Sequence, residues 1–202
     1  MNYNILIAGV GGQGTILASR ILALCAISQG AFARTGETIG MSQRGGCVAS
    51  HVRMGSADFA AYIPPGCADL LLSFELCEAA RSLPFLRPEG ACIVNTDIIK
   101  PVTVSLGSQE YDSERIIGYI KQNNKNPLFI DAYSLAQEAG SVKAVNVVLL
   151  GAALGAGVVP LEKEALTAAV LCNVPEKFAE LNLKAFDMGF DYAKRAAGKV
   201  MV

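Results

Sequence analysis

The run Ile5-Leu6-Ile7-Ala8-Gly9-Val10-Gly11-Gly12-Gln13-Gly14 constrains this chain most, because an apolar strand here breaks at once into a glycine-rich turn. Behind the turn, Thr15 to Ile27 reads as a helix, with Ile16, Leu17, Ile21, Leu24 and either Ile27 or Leu22 at three- and four-residue spacings. Gly9, Gly11 and Gly14 satisfy G-x-G-x-x-G, in which glycines allow a tight turn, close approach of backbone to a ligand, and close packing of helix on strand. Amides at the helix start, with its positive dipole end, suit an anion. The same glycines would equally serve packing of the first helix on the sheet, with no ligand at all. A Walker A loop is excluded, since no Gly-Lys-Ser/Thr follows to hold a nucleoside triphosphate and its magnesium.

A chain of 202 residues can bury one full core, and no low-complexity linker or repeat divides it, so residues 1–202 are read as one domain. The composition is 52% hydrophobic and 17% charged, which is more apolar than an ordinary soluble domain and predicts a surface covered by a partner. A net charge of -1 and the lack of any Lys/Arg run argue against nucleic acid. The opening Met-Asn-Tyr-Asn carries no signal-peptide pattern, so a cytoplasmic location is expected. The longest uncharged stretch, Ala144 to Leu161, nears membrane-spanning length, but Asn146, Gly151, Gly155, Ala156, Gly157 and Pro160 mark it as a buried helix with close neighbours instead. Six cysteines, Cys25, Cys47, Cys67, Cys77, Cys92 and Cys172, form no C-x-x-C pair. They read as reduced small hydrophobes, not as ligands of zinc or an iron-sulfur cluster.

Elements alternate along the first two thirds. A short, weakly apolar second strand is read at Ala31 to Thr35, and an alternating strand with one exposed face at Cys47 to Met54. Asp69 to Phe74 reads as a central strand and Glu75 to Leu83 as a helix stopped by Pro84. The turn Arg87-Pro88-Glu89-Gly90 leads into a strand at Gly90 to Asn95, with a further short strand at Val102 to Leu106. Ser113 to Gln122 is helical, Pro127 to Asp131 a strand and Ala132 to Ala139 a helix. The last third, Ala144 to Gly155, Leu161 to Leu171 and Pro175 to Ala197, is helical throughout. The predicted fold is α/β, three layers α/β/α around a largely parallel or mixed sheet, with a Rossmann-like first unit and a helical C-terminal part.

A second glycine-flanked segment, read as a loop, runs Gly36-Glu37-Thr38-Ile39-Gly40-Met41-Ser42-Gln43-Arg44-Gly45-Gly46, where Arg44 can fork onto a phosphate or carboxylate, or cap a strand or pair with an acid as an ordinary loop residue. The order Gly9 to Gly14, then Gly40 to Gly46, then Ser50-His51-Val52-Arg53 resembles the gamma-type subunit of 2-oxoacid:ferredoxin oxidoreductases, the indolepyruvate type being most alike in pattern. Arg87-Pro88-Glu89-Gly90, Asn146 to Ala152 and Asn182 to Gly189 extend the resemblance over essentially the whole chain.

The resemblance implies a subunit, inert alone, of an enzyme that oxidatively decarboxylates a 2-oxo acid, of the indolepyruvate or arylpyruvate kind, with coenzyme A to an acyl-CoA, carbon dioxide and reduced ferredoxin. Thiamine diphosphate and [4Fe-4S] clusters are then expected in a large partner subunit, ferredoxin is met through that partner, and the chain alone self-associates as a dimer. Coenzyme A is the ligand this chain itself is expected to touch, with no catalytic residue and no metal. The amides of Gly11, Gly12, Gln13 and Gly14, with Gly9 shaping the turn, are assigned to an anionic group, Gln13 adding its side-chain amide. Ser42, Arg44, Gly45 and Gly46 are assigned to a phosphate or to the partner.

His51, the sole histidine, reads as structural, with Arg53 on the same face of its strand. Asn146 and Asn182 each precede an apolar helical segment and read as helix caps. Two other function classes compete. A nicotinamide-dependent Rossmann enzyme would use Glu37, or Arg34 with Thr35, on the cofactor ribose. A non-enzymatic scaffold would use both loops only for contacts between subunits.

Overall fold

The computed structural model describes residues 2–40, 46–56, 59–99 and 111–200. Six strands form one sheet: β1 (Tyr3–Val10), β2 (Phe32–Ile39), β3 (Cys47–Gly55), β4 (Ala68–Ser73), β5 (Leu86–Asn95) and β6 (Leu128–Ile130). Their spatial order is β2-β3-β1-β4-β5-β6. β3 runs antiparallel to both β1 and β2, while β1, β4, β5 and β6 are mutually parallel, so the sheet is mixed. The helices are α1 (Thr15–Ser28), α2 (Leu76–Ser82), α3 (Ser113–Asn123), α4 (Ala132–Ala139), α5 (Val145–Gly155), α6 (Lys163–Cys172) and α7 (Ala179–Val200).

Alternation along β1 divides the core. Ile5 and Ile7 face α1 and the four C-terminal helices in one layer, while Leu6 and Ala8 face α2 and α3 in the other. Three layers with helices collected at the C-terminus therefore match the predicted class. Glycine sets the spacing between α5 and α7: a Cβ at Gly151 or Gly155 would collide with the carbonyl oxygens of Phe186 or Phe190, and one at Gly189 with that of Val148. The uncharged stretch is thus the buried α5, with nine of its residues inside the core. No described helix is long and apolar enough to cross a membrane.

Several local expectations need correcting. The stripe read on α1 is only partly its buried face: Ile21 and Leu22 are fully buried and Leu17 packs against the core, but Ile16, Leu24 and Ile27 are exposed at 47%, 40% and 52%, and Ala18, Cys25 and Ala26 complete the face turned to the sheet. Both stripes keep helical spacing, and only packing selects between them. β2 continues through Gly36 to Ile39, because the β3 ladder supports residues whose own strand preference is poor. β3 keeps the expected alternation, with Val48, Ser50, Val52 and Met54 buried, but its other face is only partly open: Cys47 is exposed, Ala49 and Arg53 are half-buried and His51 is buried. Arg87 to Gly90 form not a turn before β5 but a bulge inside it, between the pairs Ala68–Leu86 and Leu70–Ala91, with Glu89 at φ 63°. The strand read at Val102 to Leu106 lies outside the described residues.

Candidate functional site

The site is the edge of the sheet where β1, β4 and β5 end, at the point where connections leave in opposite directions, which is where open α/β sheets bind ligands. Gly12 and Gly14 adopt φ of 95° and 81°, a left-handed backbone that glycine enters without penalty. Gly9 leaves room for a neighbour, since a Cβ there would stand 2.7 Å from Gln13 Oε1.

That neighbour ties the edge together. Gln13 Oε1 accepts from the Val10 amide at 2.8 Å, and Gln13 Nε2 donates to the Phe74 carbonyl at 3.0 Å, joining the ends of β1 and β4. Fully buried Asn95 continues the link: its Nδ2 donates to the same Phe74 carbonyl at 3.1 Å and its Oδ1 accepts from the Ala132 amide at 3.0 Å. The Gln13 side chain is therefore engaged within the protein, not offered to a ligand. Asn95 escaped the sequence reading, where its only signal is a polar residue closing an apolar run.

The backbone amides of the turn divide in the same way. The Gly11 amide donates to the Gly46 carbonyl at 2.9 Å and that of Gln13 turns back to the Val10 carbonyl at 3.3 Å, so neither faces outward. Among the described residues, the amides of Gly12 and Gly14 have no partner. They open onto the start of α1, which has no side-chain cap and no acid in its first turn. α2, α3 and α4 are capped by Glu75, Asp112 and Asp131, whereas α5 and α6, like α1, have no side-chain cap. Of the four amides assigned to an anion, those of Gly12 and Gly14 thus lack a partner among the described residues, beside a helix end without a side-chain cap. Gly46 joins the first turn through its carbonyl. Ser42, Arg44 and Gly45 lie outside the described residues.

On the α2 side, Tyr111 donates from its hydroxyl to Glu75 Oε1 at 2.6 Å, while Glu75 Oε2 accepts from the amides of Cys77 and Glu78. Burial and the neighbouring carboxylate push the Tyr111 hydroxyl far above its ordinary range, so it stays a donor. His51 is built into this layer: its Nδ1 accepts from the Ile63 amide at 3.2 Å, its ring sits edge-on to Tyr62 and Phe85, and burial lowers its pKa. Arg53 shares its face, stacked over Phe59 and bonded to Asn4 and the carbonyls of Ala60 and Tyr62. Both residues are structural.

The expected caps are otherwise employed. Asn146 is the second residue of α5, with Oδ1 accepting from the next amide, Val147, and Asn182 lies inside α7, with Nδ2 donating back to the Phe178 carbonyl. The nicotinamide reading loses its acid. Antiparallel β3 separates β2 from β1, and the Glu37 carboxylate turns beneath α1 to accept from Ser19 Oγ at 3.2 Å. Arg34 lies over the Phe32 ring. Among the described residues no three His, Cys, Asp or Glu side chains gather as a metal site requires.

A mixed α/β sheet whose first strand ends in a glycine turn and a helix without a side-chain cap defines the class of fold, and comparison with known proteins gives this class its family. Residues 4–192 match the model of the pyruvate ferredoxin/flavodoxin oxidoreductase family, to which the chain therefore belongs. It is 42% identical over 194 residues to the indolepyruvate oxidoreductase subunit IorB of Pyrococcus horikoshii, covering 95% of this chain and 96% of that one. With the subunit of the same name from Thermococcus kodakarensis it shares 39% identity over 97% of this chain and 98% of that one. The crystal structure of a keto/oxoacid ferredoxin oxidoreductase gamma subunit from Geobacter sulfurreducens superposes with a TM-score of 0.70 at 31% identity, covering 95% and 98% of the two chains. This chain is a subunit of the 2-oxoacid:ferredoxin oxidoreductase type and is not itself the catalytic part.

Proposed function

We propose that the chain serves an indolepyruvate- or arylpyruvate-oxidising complex and that its open glycine turn receives a phosphate of coenzyme A. The observation that carries this reading is the pair of amides of Gly12 and Gly14, without partners among the described residues, at the uncapped end of α1, in a turn tied down by Gln13. A further neighbour of the same fold is in keeping with the ligand: the solved structure of 2-oxoglutarate:ferredoxin oxidoreductase from Magnetococcus marinus, 22% identical with a TM-score of 0.72, has 2-oxoglutarate, coenzyme A and succinyl-CoA bound. This chain spans 96% of its own length but 31% of that one, a gamma-like part of a larger polypeptide.

In this reading the thiamine diphosphate and [4Fe-4S] clusters of the larger partner supply decarboxylation and electron transfer to ferredoxin. The residues of the present chain bind and orient. Gly12 and Gly14 donate to phosphate oxygens, the α1 dipole adds attraction, and Gln13 keeps the turn rigid, so that little ordering is left to be done on binding. Ile16 at 47%, Ile39 at 62% and Phe178 at 44% exposure supply apolar surface for the partner; alone in the cytoplasm, the chain self-associates through it as a dimer.

The test is reconstitution with the large subunit. Indolepyruvate-dependent reduction of ferredoxin requires both chains and coenzyme A, neither chain is active alone, and ADP shifts the Gly12 and Gly14 amide resonances of the purified small chain with strong salt dependence. Full activity of the large subunit by itself, or ADP leaving those amides unmoved, overturns the proposal.

A further inference from the structure

At the opposite end of the strands from the glycine turn, the two helical layers part and leave an open cleft. Its floor is the start of β5 and of β6, the strand at the sheet edge. The end of α3 and the residues after it form one wall, and the C-terminal part of α7 with Ala156 and Val158 forms the other. The volume is about 660 Å³, within the span of about 300–1,000 Å³ that suits an organic ligand. Small side chains make the room: five of the lining residues are alanines, three of them on α7, while Ile93, Leu128 and Val158 add branched apolar surface.

The charges at this cleft have one sign. Among the described residues its lining holds Lys121 and Lys125 and no acid. The Lys121 ammonium lies 5.7 Å from the centre of the Phe129 ring and has no carboxylate partner among the described residues. Lys125 donates to Glu89 Oε1 at 2.7 Å. Glu89 is carried there by the bulge in β5, at a φ of 63° that residues other than glycine rarely adopt, and Asn124 Nδ2 ties the turn after α3 to the same bulge through the Gly90 carbonyl at 2.9 Å. Both partners of the Lys125 pair are exposed, at 79% and 68%, and an exposed pair contributes little, so Lys125 stays available to a second anion. Two cations against one acid leave the mouth of an apolar cleft positive.

We propose that this cleft binds an apolar monocarboxylate, its alkyl or aryl body against the alanine wall and its carboxylate shared by the Lys121 and Lys125 ammonium groups. A cationic ligand would meet no acid in the lining, and a compact polyvalent anion would leave the apolar walls unused. The lysine stems lie along apolar surface with the charged heads in water, so the carboxylate is paired without being taken far from solvent. The site shares no residue with the glycine turn, and the inference does not depend on the coenzyme A reading.

Octanoate and 4-phenylbutyrate are the probes, titrated into the isotope-labelled full chain. Each is expected to shift the methyls of Leu128, Val158 and Ala196 saturably and to leave Gly12 and Gly14 unmoved, and the tighter of the two identifies the body as alkyl or aryl. Hexanoate binds about tenfold more weakly than octanoate, because two methylenes fewer are buried. Octanamide, the same body without the charge, also binds at least tenfold more weakly. Lys121→Gln combined with Lys125→Gln removes the difference between octanoate and octanamide, whereas Ala196→Leu fills the cleft and weakens both; thermal melts confirm that each variant is folded. Octanamide binding as tightly as octanoate, or equal affinity for hexanoate and octanoate, overturns the proposal. So does failure of both probes to move those methyls, and their movement on addition of the large subunit instead would make the cleft a subunit contact.

Discussion

Replacing Gly189 of α7 with alanine tests how tightly the helical layer is built. The new Cβ would lie well under 3.0 Å from the Val148 carbonyl oxygen and 2.8 Å from its carbon, both backbone atoms of α5 that cannot rotate away. Real Cβ contacts tolerate 3.0–3.4 Å only when a neighbour gives way, so the helices must part by about 1 Å along a line that also carries Gly151 and Gly155. Overpacking of this kind costs about 3 kcal/mol, and parting the helices adds lost dispersion contacts. Alanine returns about 1 kcal/mol in helix propensity, leaving a net loss of about 2 kcal/mol or more. Gly118, in α3, is the matched control: a Cβ there meets nothing within 4 Å, so Gly118→Ala should stabilise by about 0.5–1 kcal/mol. Urea denaturation at constant m-value reads both changes. A Gly189→Ala variant as stable as the parent would refute the close approach of α5 and α7.

Two further outcomes are expected. Gln13→Ala removes both bonds between the turn and the ends of β1 and β4, which should cost about 1–3 kcal/mol and speed hydrogen exchange at the Val10 amide; unchanged exchange there would show that the turn holds its shape without Gln13. Because burial lowers the His51 pKa below 6.5, the unfolded chain takes up a proton that the fold resists, so stability falls as pH drops through and below 6.5. His51→Phe, the exchange of the only histidine for a ring of similar place and shape, should remove that part of the pH dependence between pH 7 and 5, and identical slopes for parent and variant in chemical denaturation would contradict it.

Much of the fold was legible because its signals are local. The apolar run of β1, the glycines after it, the run Leu70 to Phe74, and the turn residues between later elements place most strands and helices within a residue or two of where they stand. The resemblance in motif order pointed to the family to which the chain belongs. Legibility failed wherever two segments distant in sequence compete for one role. Ile16, Leu24 and Ile27 have the spacing of a buried face, yet the sheet chose the smaller Ala18, Cys25 and Ala26 with Ile21 and Leu22, and small residues let α1 lie close. Gly36 to Ile39 look like loop, yet β3 recruits them into β2.

The same division holds at the site. By itself the sequence determined that a strand must break at Gly9 to Gly14 and hand over to a helix, because left-handed backbone at Gly12 and Gly14 is a property of the residues that occupy those positions. Which amides remain open was decided only by tertiary structure. Gly46, remote in sequence, takes the Gly11 amide; Gln13 is consumed by Val10 and Phe74; and β3, inserted between β1 and β2, turns Glu37 away from the crevice. Hydrogen-bonding capacity is written in each residue, but its expenditure depends on what the fold brings within 3 Å, and no local pattern records that.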